Sequence, residues 1–137
     1  MRVNYAAVVV SAVLYWLLGA LWYGVLFGKQ WMALEGLKME QLQQQSPTVP
    51  YIIAMLANLV LASVLARICV WKHADTAVKG AALGVLLWIG FIATTSFTTY
   101  LFEGRSKQLF LINYGYSLVG LLLMGAILGA WKKKGAA

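Results

Sequence analysis

The sequence predicts an all-α polytopic membrane protein: four transmembrane helices in two hairpins, with a short interfacial amphipathic helix between the first and the second. Three observations lead there. The chain is 62% hydrophobic and 11% charged, against about 25% charged in an ordinary soluble domain, so it has too few charges to cover a water-facing surface. Its apolar residues fall into four segments of roughly 20 residues or more, enough at about 1.5 Å per residue to cross a hydrocarbon core of about 30 Å. The charges gather at the ends of those segments. Residues 1–137 are read as a single membrane domain.

The first span is expected at Tyr5–Phe27. Arg2 ahead of an apolar run looks like the start of a signal peptide. The uncharged stretch from Val3 to Gly28 is far longer than the roughly 7–15 residues of a signal h-region, so a retained helix is expected. The second span is expected at Pro50–Trp71, with Arg67 near its end, the third at Gly80–Phe102 and the fourth at Leu109–Trp131. Backbone groups in hydrocarbon must be paired within their own segment, which makes each span a helix. Between the first two spans, Trp31, Leu34, Met39 and Leu42 recur near helical spacing among Lys29, Glu35, Lys38 and Glu40. That pattern predicts an amphipathic helix over Gln30–Gln45, lying in the interface as a tether or a docking element. Ser46, Pro47 and Pro50 then end it and open the second span.

Net charge is +7, but the basic residues flank apolar segments and do not line a polar face, so no nucleic acid is implied. Arg2, Arg67, Lys72, Lys79, Lys132, Lys133 and Lys134 fall on one side of the four spans. Lys29, Lys38, Arg105 and Lys107 fall on the other. The positive-inside rule then predicts that both termini lie in the cytoplasm. The lipid bilayer is the first partner implied, and anionic headgroups suit the basic ends.

Residues that carry chemistry are sparse. No Asp or Glu lies mid-span, which argues against proton-coupled export. His73 and Cys69 are the only residues of their kinds, and no zinc spacing, phosphate loop or Ser–His–Asp set is present. No catalytic or metal-binding residue is therefore assigned, and no cofactor can be named. Asn58 and Asn113 are the strongest hydrogen-bonding groups within the spans. Thr94, Thr95, Ser96, Thr98 and Thr99 make the outer half of the third span polar, either for helix packing or to line a cavity. Three small-residue pairs, Gly24 with Gly28, Gly80 with Gly84 and Gly125 with Gly129, predict close helix contacts within the chain or between chains.

The stretches Leu21-Trp22-Tyr23-Gly24 and Phe102-Glu103-Gly104-Arg105, with Asn113-Tyr114-Gly115-Tyr116 after them, resemble the small bacterial membrane proteins grouped as domain of unknown function 1761. The likeness runs from Asn4 to Trp131. It implies a four-span helical protein and carries no activity, substrate or cofactor with it. The position after Gly115-Tyr116, polar or His in many members, is Ser117 here, which offers no metal or haem ligand.

Read from the residues, those stretches meet at the outer boundary. Trp22, Tyr23, Trp31 and Tyr100 form an aromatic belt there, or else line a site for a ligand or partner closed by Glu103 and Arg105, with Asn113 reaching in and Asn58 as a further polar group. Three functions fit. The first is a non-catalytic bundle acting as a homo-oligomer or as a subunit of a larger membrane complex. The second is a solute or ion transporter or channel formed by an oligomer. The third is a lipid- or quinone-binding protein at the outer boundary, an enzyme only if Glu103 found a partner.

Overall fold

The computed structural model describes residues 2–36 and 48–131. These form five helices in chain order: α1 (Tyr5–Leu26), α2 (Gly28–Glu35), α3 (Thr48–Trp71), α4 (Ala77–Glu103) and α5 (Lys107–Ala130). All but α2 are long and apolar enough to cross a membrane. Lys38, Met39, Glu40, Leu42 and the Gln43–Gln45 run of the expected interfacial helix, and Lys132–Lys134 of the charge count, lie outside the described residues.

Short polar residues set the helix ends. The Asn4 side chain accepts from the Ala6 and Ala7 amides at the start of α1, and its Nδ2 donates to the Trp131 carbonyl beyond α5 at 3.1 Å. That bond ties the first helix to the last. Thr76 caps α4 and Ser106 caps α5 through their hydroxyls. Gly36 and Gly104 end α2 and α4 in the left-handed conformation, at φ 72° and 66°, which a side chain would strain. The interfacial helix thus begins two residues before the expected Gln30 and closes at Gly36. The second membrane helix begins at Thr48, with Pro50 in its first turn, where a missing amide proton leaves no hydrogen bond unmade.

α5 is the hub, packing against α1, α3 and α4, while α4 leans on α5 and on little else. The main core joins Ala7, Ala12 and Tyr15 of α1, Ala62, Leu65, Ala66 and Cys69 of α3, and Leu121, Met124 and Leu128 of α5. Lipid is as apolar as leucine, so burial between helices adds little by exclusion of water. Close van der Waals contact and hydrogen bonds hold such helices together.

The tightest contact is the α4–α5 seam. A Cβ placed on Gly80 would overlap the Gly125 carbonyl, one on Gly84 the Leu121 carbonyl, and one on Gly129 the Thr76 carbonyl. Two backbones meet there with no side chain between them. Against α1 the same device is used with rings: Tyr15 lies over Gly120, the Tyr116 hydroxyl lies over Gly19, and the two rings stack at 4.5 Å. Gly24 and Gly28 do not behave this way. Gly24 faces open space, and a Cβ on Gly28 would meet only the Tyr23 carbonyl of its own bend. They form no helix–helix seam, because the chain leaves regular α geometry between them.

That departure recurs. α1 widens to a π-helix over Trp22–Leu26, and α4 does so over Trp88–Ala93. A π turn displaces the regular amide–carbonyl ladder, and in hydrocarbon every carbonyl needs a donor. In α4 the threonines supply extra donors. Thr94 Oγ1 donates to the Gly90 carbonyl at 2.9 Å, and Thr95 Oγ1 donates to those of Phe91 and Ile92 at 2.6 and 3.3 Å. Thr98 and Thr99 continue the pattern, and all four residues are exposed. The threonine run therefore backs its own helix and faces outward, so of its two readings, helix packing or a lined cavity, it lines no cavity inside the single chain among the described residues.

Candidate functional site

The polar residues of the spans converge where α1 and α4 end and α5 begins. The first link is between α1 and α5. Trp22 Nε1 donates to the Ile112 carbonyl at 2.9 Å, and the Tyr23 hydroxyl donates to Asn113 Oδ1 at 2.9 Å. The π turn that starts at Trp22 sets the positions of both rings. The second link joins α5 to α4: Asn113 Nδ2 donates to the Tyr100 hydroxyl at 2.8 Å. A single amide thus bridges phenols from two other helices, using its acceptor on one side and its donor on the other.

Arg105 extends the chain of contacts. Gly104 reverses the backbone so that the Arg105 amide donates to the Tyr100 carbonyl. This folds the arginine back over the end of α4, with its guanidinium carbon 4.4 Å from the centre of the Tyr100 ring. From there Nη2 donates to Glu35 Oε1 of α2 at 2.6 Å, with both side chains about two-thirds to three-quarters buried. A charge-assisted bond of that length, stacked on an aromatic face, is worth more than an exposed pair. Trp31 of α2 packs edge-on to Tyr23 at 5.4 Å. Around them Tyr100, Leu109 and Phe110 form a small second core, with Leu34 and Tyr114 against it.

Of the residues expected here, Trp22, Tyr23, Trp31, Tyr100, Arg105 and Asn113 are brought together. Glu103 does not join them. It sits exposed on the last turn of α4, with no ion pair or hydrogen bond among the described residues. The acid that meets Arg105 is Glu35, 70 positions away. Asn58 is elsewhere too: it is buried between α3 and α1, its Nδ2 3.5 Å from the Ala12 carbonyl. Ala12 lies eleven residues before Tyr23, about 16 Å along the helix. Sequence reasoning placed Glu35 and Arg105 on one side of the membrane, and that was the only available signal for their pairing. It gave none for Trp88, which opens the second π turn and donates to the Tyr114 carbonyl and the Ser117 hydroxyl, each at 2.9 Å.

The cluster's side-chain hydrogen bonds run from one member to the next. The arginine is matched by the Glu35 carboxylate. Among the described residues no group of three His, Cys, Asp or Glu could hold a metal ion. The arrangement is a clasp: it locks α1, α2, α4 and α5 at one end, as the glycine seam locks α4 to α5 at the other.

Four apolar membrane-length helices, an all-helical core and a polar–aromatic clasp at one boundary define a polytopic helical membrane protein. The chain belongs to the family described as Protein of unknown function (DUF1761), whose model matches residues 6–129. No curated protein and no solved structure matches it.

Proposed function

We propose that this protein is a non-catalytic bundle of the bacterial cytoplasmic membrane that works by associating with further copies of itself through α4. The observation that carries the reading is how little of α4 the chain itself covers: 11% of its apolar window is buried, against 33% for α5. Its uncovered side presents Gly90, Thr94 and Thr98, small residues one helical turn apart, and no atom from elsewhere in the chain comes within 4 Å of a Cβ at Gly90. Small residues and hydroxyls in such a row favour helix association in lipid. The seams at Gly80, Gly84, Gly125 and Gly129 are consumed inside the chain and so are not free to join a second copy.

Native mass measurement in mild detergent is expected to give a dimer or larger assembly, which Gly90→Leu returns to the monomer without lowering monomer stability. A wild-type chain that is monomeric at all concentrations would refute this reading. The centre of a single copy is filled by Leu65, Leu121 and Met124, so the transporter reading would need a path between copies. The lipid or quinone enzyme reading rests on Glu103, which stands exposed with no ion pair or hydrogen bond among the described residues.

The proposed orientation places both termini in the cytoplasm, on the count of basic residues. A green fluorescent protein fused after Ala137 should fluoresce, and alkaline phosphatase at the same position should be inactive. The reverse pattern would invert the topology.

A further inference from the structure

The end of the molecule opposite the clasp carries a groove. α3 and α4 are consecutive, yet they barely touch, because α3 lies on α1 and α5 while α4 lies on α5 alone. Beside the connecting turn an open groove of about 300 Å³ runs along α4, lined by Lys72 and Ala74 of the turn and by Lys79, Ala82, Leu83 and Leu86 of α4. Four of these share one face of α4, at spacings of three, four and seven residues from Lys79. Lys79 stands at the start of the helix, and Leu86 lies about 10 Å further along its axis. The face therefore has a cation at its mouth and an aliphatic floor running toward the middle of the bilayer.

The turn fixes the second cation. His73 adopts the left-handed conformation at φ 54°, its amide donates to the Val70 carbonyl, and the Ala74 amide donates to the Cys69 carbonyl. This closes α3 as a glycine cap would and buries Ala74, which holds Lys72 at the rim. Lys79 also pairs with Asp75 at 3.2 Å, but both groups are well exposed, and such a pair is easily exchanged for a stronger acceptor. Arg67 lies exposed on the last turns of α3. The positive end of the α4 dipole opens at the same mouth.

We propose that this groove binds one anionic phospholipid, its phosphate between Lys72 and Lys79 and an acyl chain along Ala82, Leu83 and Leu86. A soluble phosphate would have no use for the aliphatic floor. A zwitterionic lipid would gain little from two lysines, whereas each lysine near an anionic headgroup contributes a severalfold preference. The combination of charged mouth and apolar wall selects a lipid that has both parts.

The test uses the full chain in mild detergent with equimolar dioleoyl phosphatidylglycerol and phosphatidylcholine, reading retained lipid by native mass spectrometry. The wild type is expected to hold one phosphatidylglycerol in roughly tenfold preference. The double variant Lys72→Ala/Lys79→Ala should bring the two lipids close to parity. Leu86→Trp fills the exposed floor without altering charge, and should also lower retention. Lys29→Ala/Lys107→Ala, at the other boundary, should leave the preference intact, and added glycerol phosphate should not displace the lipid. Equal retention of the two lipids by the wild type overturns the proposal. So does a preference that survives the double lysine variant, a Leu86→Trp chain that binds as before, or displacement by glycerol phosphate.

Discussion

Replacing Gly80 with leucine is expected to cost more than about 3 kcal/mol of stability and to separate α4 from α5. Forcing atoms into a filled contact usually costs about 1–3 kcal/mol, because neighbouring side chains can shift. Here the obstacle is the backbone of Gly125 and Gly129, which cannot turn aside as a side chain can. The whole of α5 would have to retreat, and with it the one extensive contact that α4 makes among the described residues. Helix propensity works the other way, since leucine is favoured over glycine by somewhat less than about 1 kcal/mol within a helix. A net loss therefore isolates the steric effect. Unfolding in a graded mixture of dodecyl maltoside and sodium dodecyl sulfate, followed by tryptophan fluorescence, would measure it. With both variants measured as monomers at high dilution in detergent, Gly90→Leu is the matched control: it makes the same exchange on the same helix into open space, and should change monomer stability by no more than about 1 kcal/mol. Equal behaviour of the two variants would mean that the seam is not what holds α4.

The second large effect is expected at Asn113. Asn113→Leu keeps the volume and removes both bonds of the bridge, from the Tyr23 hydroxyl and to the Tyr100 hydroxyl. Side-chain hydrogen bonds between membrane helices average about 0.6 kcal/mol and reach about 1.7. Two such bonds, with two phenols left in a tight aromatic cluster, predict a loss of roughly 1–3 kcal/mol. Tyr23→Phe and Tyr100→Phe each remove one of the two, and their losses should together approach that of Asn113→Leu. In the Asn113→Leu background each phenylalanine substitution should then have almost no further effect, which a double-mutant cycle reads directly. Full additivity would mean that the three residues do not act through one another, and the clasp would be only a set of neighbouring rings.

Both predictions depend on features that were unevenly visible in the sequence. The glycine spacings at 80, 84, 125 and 129 were visible as close-packing faces, but their partners were not, since a small residue is equally suited to a helix in its own chain or in another. The pair Gly24 and Gly28 had the same spacing and a different fate, because a π turn falls between them. Asn113 stood out as a polar residue in an apolar run, yet its two phenols come from positions 90 residues before it and 13 before it. Glu103 was the nearest acid to Arg105 along the chain. The left-handed Gly104 sends the arginine back over Tyr100, toward Glu35, and leaves Glu103 on the outer face.

What the amino-acid sequence determined by itself was everything set by local free energies. Transfer of long uncharged segments into hydrocarbon fixes four spans, and the obligation to pair every backbone group there makes them helices. Asn4, Thr76, Ser106, Gly36 and Gly104 fix their ends through bonds reaching only a few residues. Tertiary structure decided which face of each helix meets which neighbour. That choice depends on contacts between residues far apart in the chain, and lipid does not make it in advance, because it solvates every apolar face alike. Backbone approach at the glycine seam and the hydrogen bonds of the clasp set the rotations. Those rotations in turn placed Arg105 on Glu35, turned the threonines of α4 outward and left the lysine-rimmed groove open along α4 beside the α3–α4 turn.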